Sequence, residues 1–266
     1  MKKYLSALLA GACGVLVASA AMAFTGSYSP DTGVNNTVHD LSQTTNGMVY
    51  SAQPADTLNR ICIFCHAPHN TYRLSTATGG AGPQASAVYD YLPLWNHELA
   101  DDPQYTMYEN GPGAPQSGHQ ASQAIEEVMV PGSTSLLCLS CHDGSIAPNS
   151  YGNSSQLTRS QSGGGVMMTN QYVIGLDAYL GNHHPIGFSY QNVADGDTEI
   201  RDADVAFLTP STSVRDHLYG FAGTMECGTC HSVHNKGNSG ETLLWRSDQN
   251  SELCLTCHDK GIYTDF

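Results

Sequence analysis

A single five-residue pattern, repeated four times, constrains this chain more than anything else in it. The copies are Cys62-Ile63-Phe64-Cys65-His66, Cys138-Leu139-Ser140-Cys141-His142, Cys227-Gly228-Thr229-Cys230-His231 and Cys254-Leu255-Thr256-Cys257-His258. Each reads C-x-x-C-H, and together they use eight of the nine cysteines. Two thiols at this spacing lie on one side of a helical turn, where each can add to one vinyl group of a single haem. The histidine that follows can then swing beneath the ring to bind iron. A disulfide framework or paired thiolate zinc sites would also use an even number of cysteines. Neither explains a histidine after the second cysteine in all four copies. The pattern therefore points to four covalently attached haem c groups, with His66, His142, His231 and His258 as proximal iron ligands.

Covalent haem attachment of this type is extracytoplasmic chemistry, and the N-terminus agrees with export. Lys2 and Lys3 precede an apolar stretch from Leu5 to Val17, and Ala21-Met22-Ala23 offers a small-x-small cleavage site. Ala18-Ser19-Ala20 is a second such site, and Cys13 lies inside the apolar stretch in a weak acylation context. Residues 1–23 are read as a signal peptide, with the mature chain beginning near Phe24. The apolar stretch is too short to span a bilayer and no other candidate follows, so no membrane span is expected.

The rest of the composition explains why haem matters to folding. Charged residues are only 13% of the chain, and glycine-, serine- and asparagine-rich stretches replace long helix-period runs. Residues 74–84, 110–123 and 144–165 read as loops. Side chains alone look insufficient for a conventional core, whereas rigid apolar plates can be wrapped by loops. The expected fold is mostly irregular with short α-helices and very little β, packed around haem. Short helices should carry the motifs, with Asp56, Ser135, Thr224 and Ser251 as N-caps. A further helix is expected over residues 122–129, and residues 171–176 form the best strand candidate.

The net charge of −14 excludes some partners. Removing Lys2 and Lys3 from ten basic residues leaves eight against 24 acidic ones, a net of −16. Nucleic acid and anionic lipid are poor partners for such a surface.

The motifs also fall into two comparable halves. Cys65-His66-Ala67-Pro68-His69-Asn70, Leu94-Trp95 and Leu137-Cys138-Leu139-Ser140-Cys141-His142-Asp143 run in the same order as Cys230-His231-Ser232-Val233-His234-Asn235, Leu244-Trp245 and Leu253-Cys254-Leu255-Thr256-Cys257-His258-Asp259. Residues 24–266 are therefore read as one tetrahaem domain built from a two-haem unit used twice, about 24–165 and 166–266.

Eight histidines remain for the opposite faces of the irons. His69 and His234 stand three residues after a proximal ligand, and cannot circle to the far side of their own haem. Each must serve a neighbouring haem or bond a propionate. His39 and His184 complete a set of four distal candidates. His97 and His183 are reserves for those two, His217 comes next, and His119 sits in a solvated stretch. No methionine recurs between the halves, which disfavours methionine ligation. Trp95 and Trp245 are read as packing edge-on against haem faces.

The order His39-Asp40-Leu41-Ser42, the C-x-F-C-H-x-P-H-N segment, Pro93-Leu94-Trp95-Asn96-His97, Leu137 to Gly144, and His183-His184-Pro185-Ile186-Gly187-Phe188 resembles the OmcE-like family of filament-forming extracellular multihaem cytochromes. The resemblance covers scattered segments from His39 to Asp259. It implies bis-histidine haems stacked closely and electron transfer along them rather than catalysis. It also implies self-association into filaments, and exchange with other multihaem cytochromes or extracellular acceptors at the cell surface. A soluble periplasmic tetrahaem shuttle is the alternative, and a multihaem oxyanion reductase is the remaining one. A reductase needs an open iron position and nearby acid–base or cationic groups.

The mature protein should carry four haems in intact mass under denaturing conditions. Three or fewer in fully matured protein would contradict the motif reading.

Overall fold

The computed structural model describes residues 29–35, 37–42, 60–69, 93–99, 104–110, 118–148, 150–151, 168, 173–207, 211–238 and 241–260. They form a mostly irregular chain with short helices: α1 (Ser133–His142), α2 (Tyr190–Gly196), α3 (Cys227–Cys230) and α4 (Glu252–Cys257). Single 3-10 turns occupy Ile61–Phe64, Leu176–Ala178, Val214–His217 and Gln249–Ser251. The two short strands, β1 (Phe188–Ser189) and β2 (Thr224–Met225), pair antiparallel, Phe188 opposite Met225.

Each C-x-x-C pair lies on a helical turn, for a local reason. The amides of His66, His231 and His258 donate to the carbonyls of Cys62, Cys227 and Cys254 at 2.7, 3.1 and 2.9 Å. That four-residue bond closes one turn and leaves the two cysteines three positions apart on the same side. The second motif ends the longer α1, which buries Leu136, Leu137 and Leu139.

Those leucines enter an apolar cluster with Met107, Ile125, Met129, Leu180, Phe188, Tyr190, Val193, Val214 and Met225. The expectation that side chains alone would build little core is thus corrected. The residues come singly from loops and short elements, so no helical period announces them.

Several local expectations also change. Residues 122–129 are not helical; the chain turns at 123–124 and then runs extended. Ser122 Oγ donates to Asp197 at 2.6 Å, and Val130 N–H donates to the Gly187 carbonyl at 3.2 Å. Bonds to distant segments, with Ile125 and Met129 buried, replace the helical ones. At Gly187, φ is +78° and an added Cβ would lie 2.3 Å from the Val130 carbonyl oxygen, so only glycine permits that approach. Ser251 does precede α4, but Gly132 and Glu226 hold the N-cap positions of α1 and α3 in place of Ser135 and Thr224. Asp56 lies outside the described residues, and Arg60 precedes the first turn. The described part of 171–176 is not strand.

The two Leu-Trp segments repeat one set of backbone bonds in a register that sequence alignment misses. Ala67 N–H donates to Leu94 O and Asn96 N–H to Cys65 O; likewise Ser232 N–H donates to Leu243 O and Trp245 N–H to Cys230 O. Leu94 and Leu243 both have positive φ, 53° and 63°. Trp95 therefore corresponds to Leu244, not to Trp245.

The N-terminal segment is tied to the loop after His234. Fully buried Asn235 donates to the carbonyls of Ser29 and Gly33 at 2.8 and 3.2 Å, and Gly33 N–H donates to its carbonyl at 2.9 Å. Asp31 accepts from Gly237 N–H and pairs with Lys236 at 3.1 Å; the Gly237 amide and Lys236 hold its carboxyl below the ordinary range. Replacing Asn235 by alanine leaves several buried groups without partners. Asn235→Ala should lower stability by about 2 kcal/mol or more in chemical unfolding.

Candidate haem centres

The eight motif cysteines carry no disulfides, and they converge in pairs from different helices. Cys138 of α1 and Cys227 of α3 are in side-chain contact, and each perturbs the other's ionisation. Burial pushes the Cys65 thiol up to about 11 and Cys230 up to about 12. Raised thiols are the reverse of what a thiolate metal site requires, and only Cys227, hydrogen-bonded by Cys138, is lowered among the shifted motif cysteines. Among the described residues, no three His, Cys, Asp or Glu side chains gather as a metal-binding cluster. Cys62 and Cys254, the first cysteines of the first and fourth motifs, are exposed.

All twelve histidines lie within the described residues, and six of them form three opposed pairs. His39 faces His142 with ring centroids 6.2 Å apart, His66 faces His234 at 6.0 Å, and His184 faces His258 at 6.2 Å. Metal–imidazole bonds of about 2.0 Å put the centroids of two imidazoles on opposite sides of one metal roughly 6–6.5 Å apart. Direct stacking or hydrogen bonding would bring the rings closer. In every pair one ring is a proximal candidate from a C-x-x-C-H motif.

The remaining ring nitrogens fit the same role. His66 Nδ1 donates to the Pro93 carbonyl at 2.7 Å and His184 Nδ1 to the Pro185 carbonyl at 2.9 Å, leaving Nε2 of each for a metal. The Leu243 carbonyl lies close enough to the His231 ring to favour its protonated form. Burial holds His39 down to about 4, with the facing His142 adding to the effect. His234 and His258 are lowered for the same reasons, burial first and then the opposed ring, His66 or His184. Burial lowers His231 as well. All four are thus held neutral, and a neutral imidazole is the form that ligates.

Two buried polar atoms lack a hydrogen-bond partner among the described residues: His39 Nδ1 and Trp95 Nε1. The Val233 carbonyl lies near enough to His39 to favour its protonated form without completing a hydrogen bond. Trp95 stands edge-on to His66, 6.0 Å between centroids at 87°. An unpaired indole N–H beside a proximal histidine suits a bound group with acceptor oxygens, such as a haem carrying propionates. The residues present therefore fit haem.

The other histidines occupy different surroundings. His97 is fully buried, with Nδ1 2.7 Å from the Glu98 carbonyl and Nε2 3.0 Å from the Ala147 carbonyl. Its Nε2 also lies 3.3 Å from Cys141 Sγ, and no histidine faces it. His183 Nε2 accepts from Gly175 N–H at 3.4 Å. His217 packs between Phe207 and Trp245, with centroids 4.4 and 4.7 Å away. Trp245 donates to the Gly228 carbonyl at 2.8 Å. His119 and His69 are exposed. Met107, Met129 and Met225 are buried in the apolar cluster. Sequence reasoning missed which haem His234 approaches, since it faces His66 of the first motif and not either of its sequence neighbours. It also missed Glu226, a buried carboxylate beside Cys227 that no motif marks.

Among known proteins, the family model described as a doubled CXXCH motif matches residues 221–262, which hold the third and fourth motifs. No curated protein matches the chain. Among the described residues no helix is long and apolar enough to cross a membrane. The doubled motif is the covalent haem c attachment signature of multihaem c-type cytochromes, proteins of electron transfer that are typically exported.

Proposed function

We propose that this protein is an exported tetrahaem electron carrier whose irons are held by histidine on both faces, and that it works as a subunit of an extracellular conducting filament. The observation that carries the reading is the set of three imidazole pairs at 6.0 and 6.2 Å, each with one member from a C-x-x-C-H motif. Haem iron supplies the one-electron redox change when bound. The protein's own contribution is positional. The cysteine pairs fix each ring, the facing histidines close the irons to substrate, and the first and fourth motifs, each with one exposed cysteine, give electrons an entry and an exit.

In this reading His39 completes the second iron, His234 the first and His184 the fourth. We leave His97 and His183 out of the ligand set, because no motif histidine faces either of them, whereas His184 faces His258. Two histidines are then left to match. His231 has no imidazole opposite it at the spacing of the other pairs, and exposed His69 stands three residues past His66. We assign His69 of one copy to the third iron of the next, so that an iron–nitrogen bond fixes each joint. With His39, which faces His142, assigned to the second iron, the second haem of its own chain is not the target of His69 in this reading. Closed irons also argue against a reductase, which needs an open position.

His184→Ala should convert one of four irons from low to high spin, whereas His183→Ala and His97→Ala should leave all four low-spin. If the His184→Ala protein stays fully low-spin, the assignment of the fourth iron is wrong.

His69→Ala should keep four attached haems, leave one iron high-spin and abolish filaments in electron micrographs. Normal filaments from this variant would remove the proposed joint, and absence of filaments from the unaltered protein would favour the periplasmic shuttle.

A further inference from the structure

Trp95 is placed by the backbone around the first motif. It forms an antiparallel bridge with His66, flanked by the bonds of Ala67 to Leu94 and of Asn96 to Cys65. Leu244 forms the same bridge with His231. The two positions are therefore equivalent about the first and third motifs, and only the first carries a side-chain hydrogen-bond donor. Packing does not require that difference, since a leucine serves in the second half.

The donor is unsatisfied. Trp95 is 9% exposed, and its Nε1 is buried with no hydrogen-bond partner among the described residues. An indole N–H can only donate, so no tautomer or change of protonation relieves it. Leaving such a group buried and unpaired is destabilising. Trp245 shows the ordinary solution, donating to the Gly228 carbonyl at 2.8 Å. The Trp95 ring stands 6.0 Å from that of His66 at 87°, and 6.4 Å from that of His97, whose Nε2 is 3.3 Å from Cys141 Sγ. The indole thus lies beside the proximal histidine of the first motif and toward the second.

A haem brings acceptor oxygens only in its propionates. A buried water would need several polar partners. The other unpaired buried side-chain atom among the described residues is His39 Nδ1, in the ring that faces His142. We propose that Trp95 Nε1–H anchors a propionate of the first haem, and that the third haem, with Leu244 in the equivalent place, has no such anchor. The inference rests on the haem reading above. Thioethers hold a haem at one edge and histidine holds it at its centre. A charge-assisted bond from Trp95 would hold the opposite, propionate-bearing edge of the first ring inside the protein.

The test is resonance Raman spectroscopy of full-length mature protein, after intact mass has shown four haems in each variant. The chain has two tryptophans, so Trp245→Phe isolates the Trp95 indole under ultraviolet excitation. Its N–H band should report a stronger bond than that of Trp245, which is read in Trp95→Phe and ends on a neutral carbonyl. Under Soret excitation, Trp95→Phe should shift the propionate-bending band of one haem, and Trp245→Phe should shift none. A free indole N–H at Trp95 would overturn the proposal. So would a bonded indole whose loss in Trp95→Phe leaves every propionate band in place, the result expected of a buried water only. Should Trp95→Phe not load four haems, a density map of the unaltered loaded protein decides. Nε1 within hydrogen-bonding distance of a propionate oxygen of the haem on Cys62 and Cys65 supports the anchor, and a longer separation overturns it. Unaltered protein lacking haem would instead overturn the electron-carrier reading.

Discussion

The structure depends on pairs of imidazoles held about one metal apart by segments distant in sequence. His39 meets His142, His66 meets His234 and His184 meets His258, so each pair closes a long loop. A chain with only 13% charged residues and short elements gains little rigidity from its own secondary structure. An iron held between the two rings of a pair would fix distant segments and remove loop-closure entropy from the unfolded chain, as any cross-link does. Thioether bonds from the motif cysteines would anchor that iron to a helical turn. Such a chain can remain irregular almost everywhere and still place its redox centres.

The surroundings of the pairs prepare them for ligation. Burial opposes imidazolium at His39, His231, His234 and His258, and in three of these the opposed ring adds to the effect. Carbonyl acceptors at Pro93 and Pro185 orient the ring nitrogen that does not face the partner. The Asn235 loop holds residues 29–33, and so brings the segment carrying His39 to the second motif. Glu226 joins the helices of the second and third motifs through its buried carboxyl group. Packing, hydrogen bonding and electrostatics thus act on the same few segments.

The motif histidines and cysteines were legible in the sequence because local chemistry fixes their spacing, and one helical turn satisfies it. The irregular fold was legible for a related reason, since no long amphipathic run competes with loops. What was hidden depends on long-range contact. The pattern of residues 122–129 suggested a helix, but Ser122 and Val130 bond to Asp197 and Gly187 instead. Aligning Trp95 with Trp245 was natural by residue type, yet the positive-φ leucines set the register one position away. Spacing alone left His39 and His97 as rivals; in the fold His39 faces His142, whereas no histidine faces His97. The cluster around Met107 and Met129 has no period because its members arrive from separate turns.

The central claim is that iron in this protein is held by imidazole on both faces. Low-temperature electron paramagnetic resonance of the unaltered, fully oxidised protein in its native assembly, together with near-infrared magnetic circular dichroism, tests it most directly. The account predicts only low-spin ferric signals with bis-imidazole charge-transfer bands, integrating to four irons per chain. A high-spin signal from that material, or a methionine–iron band, would contradict it.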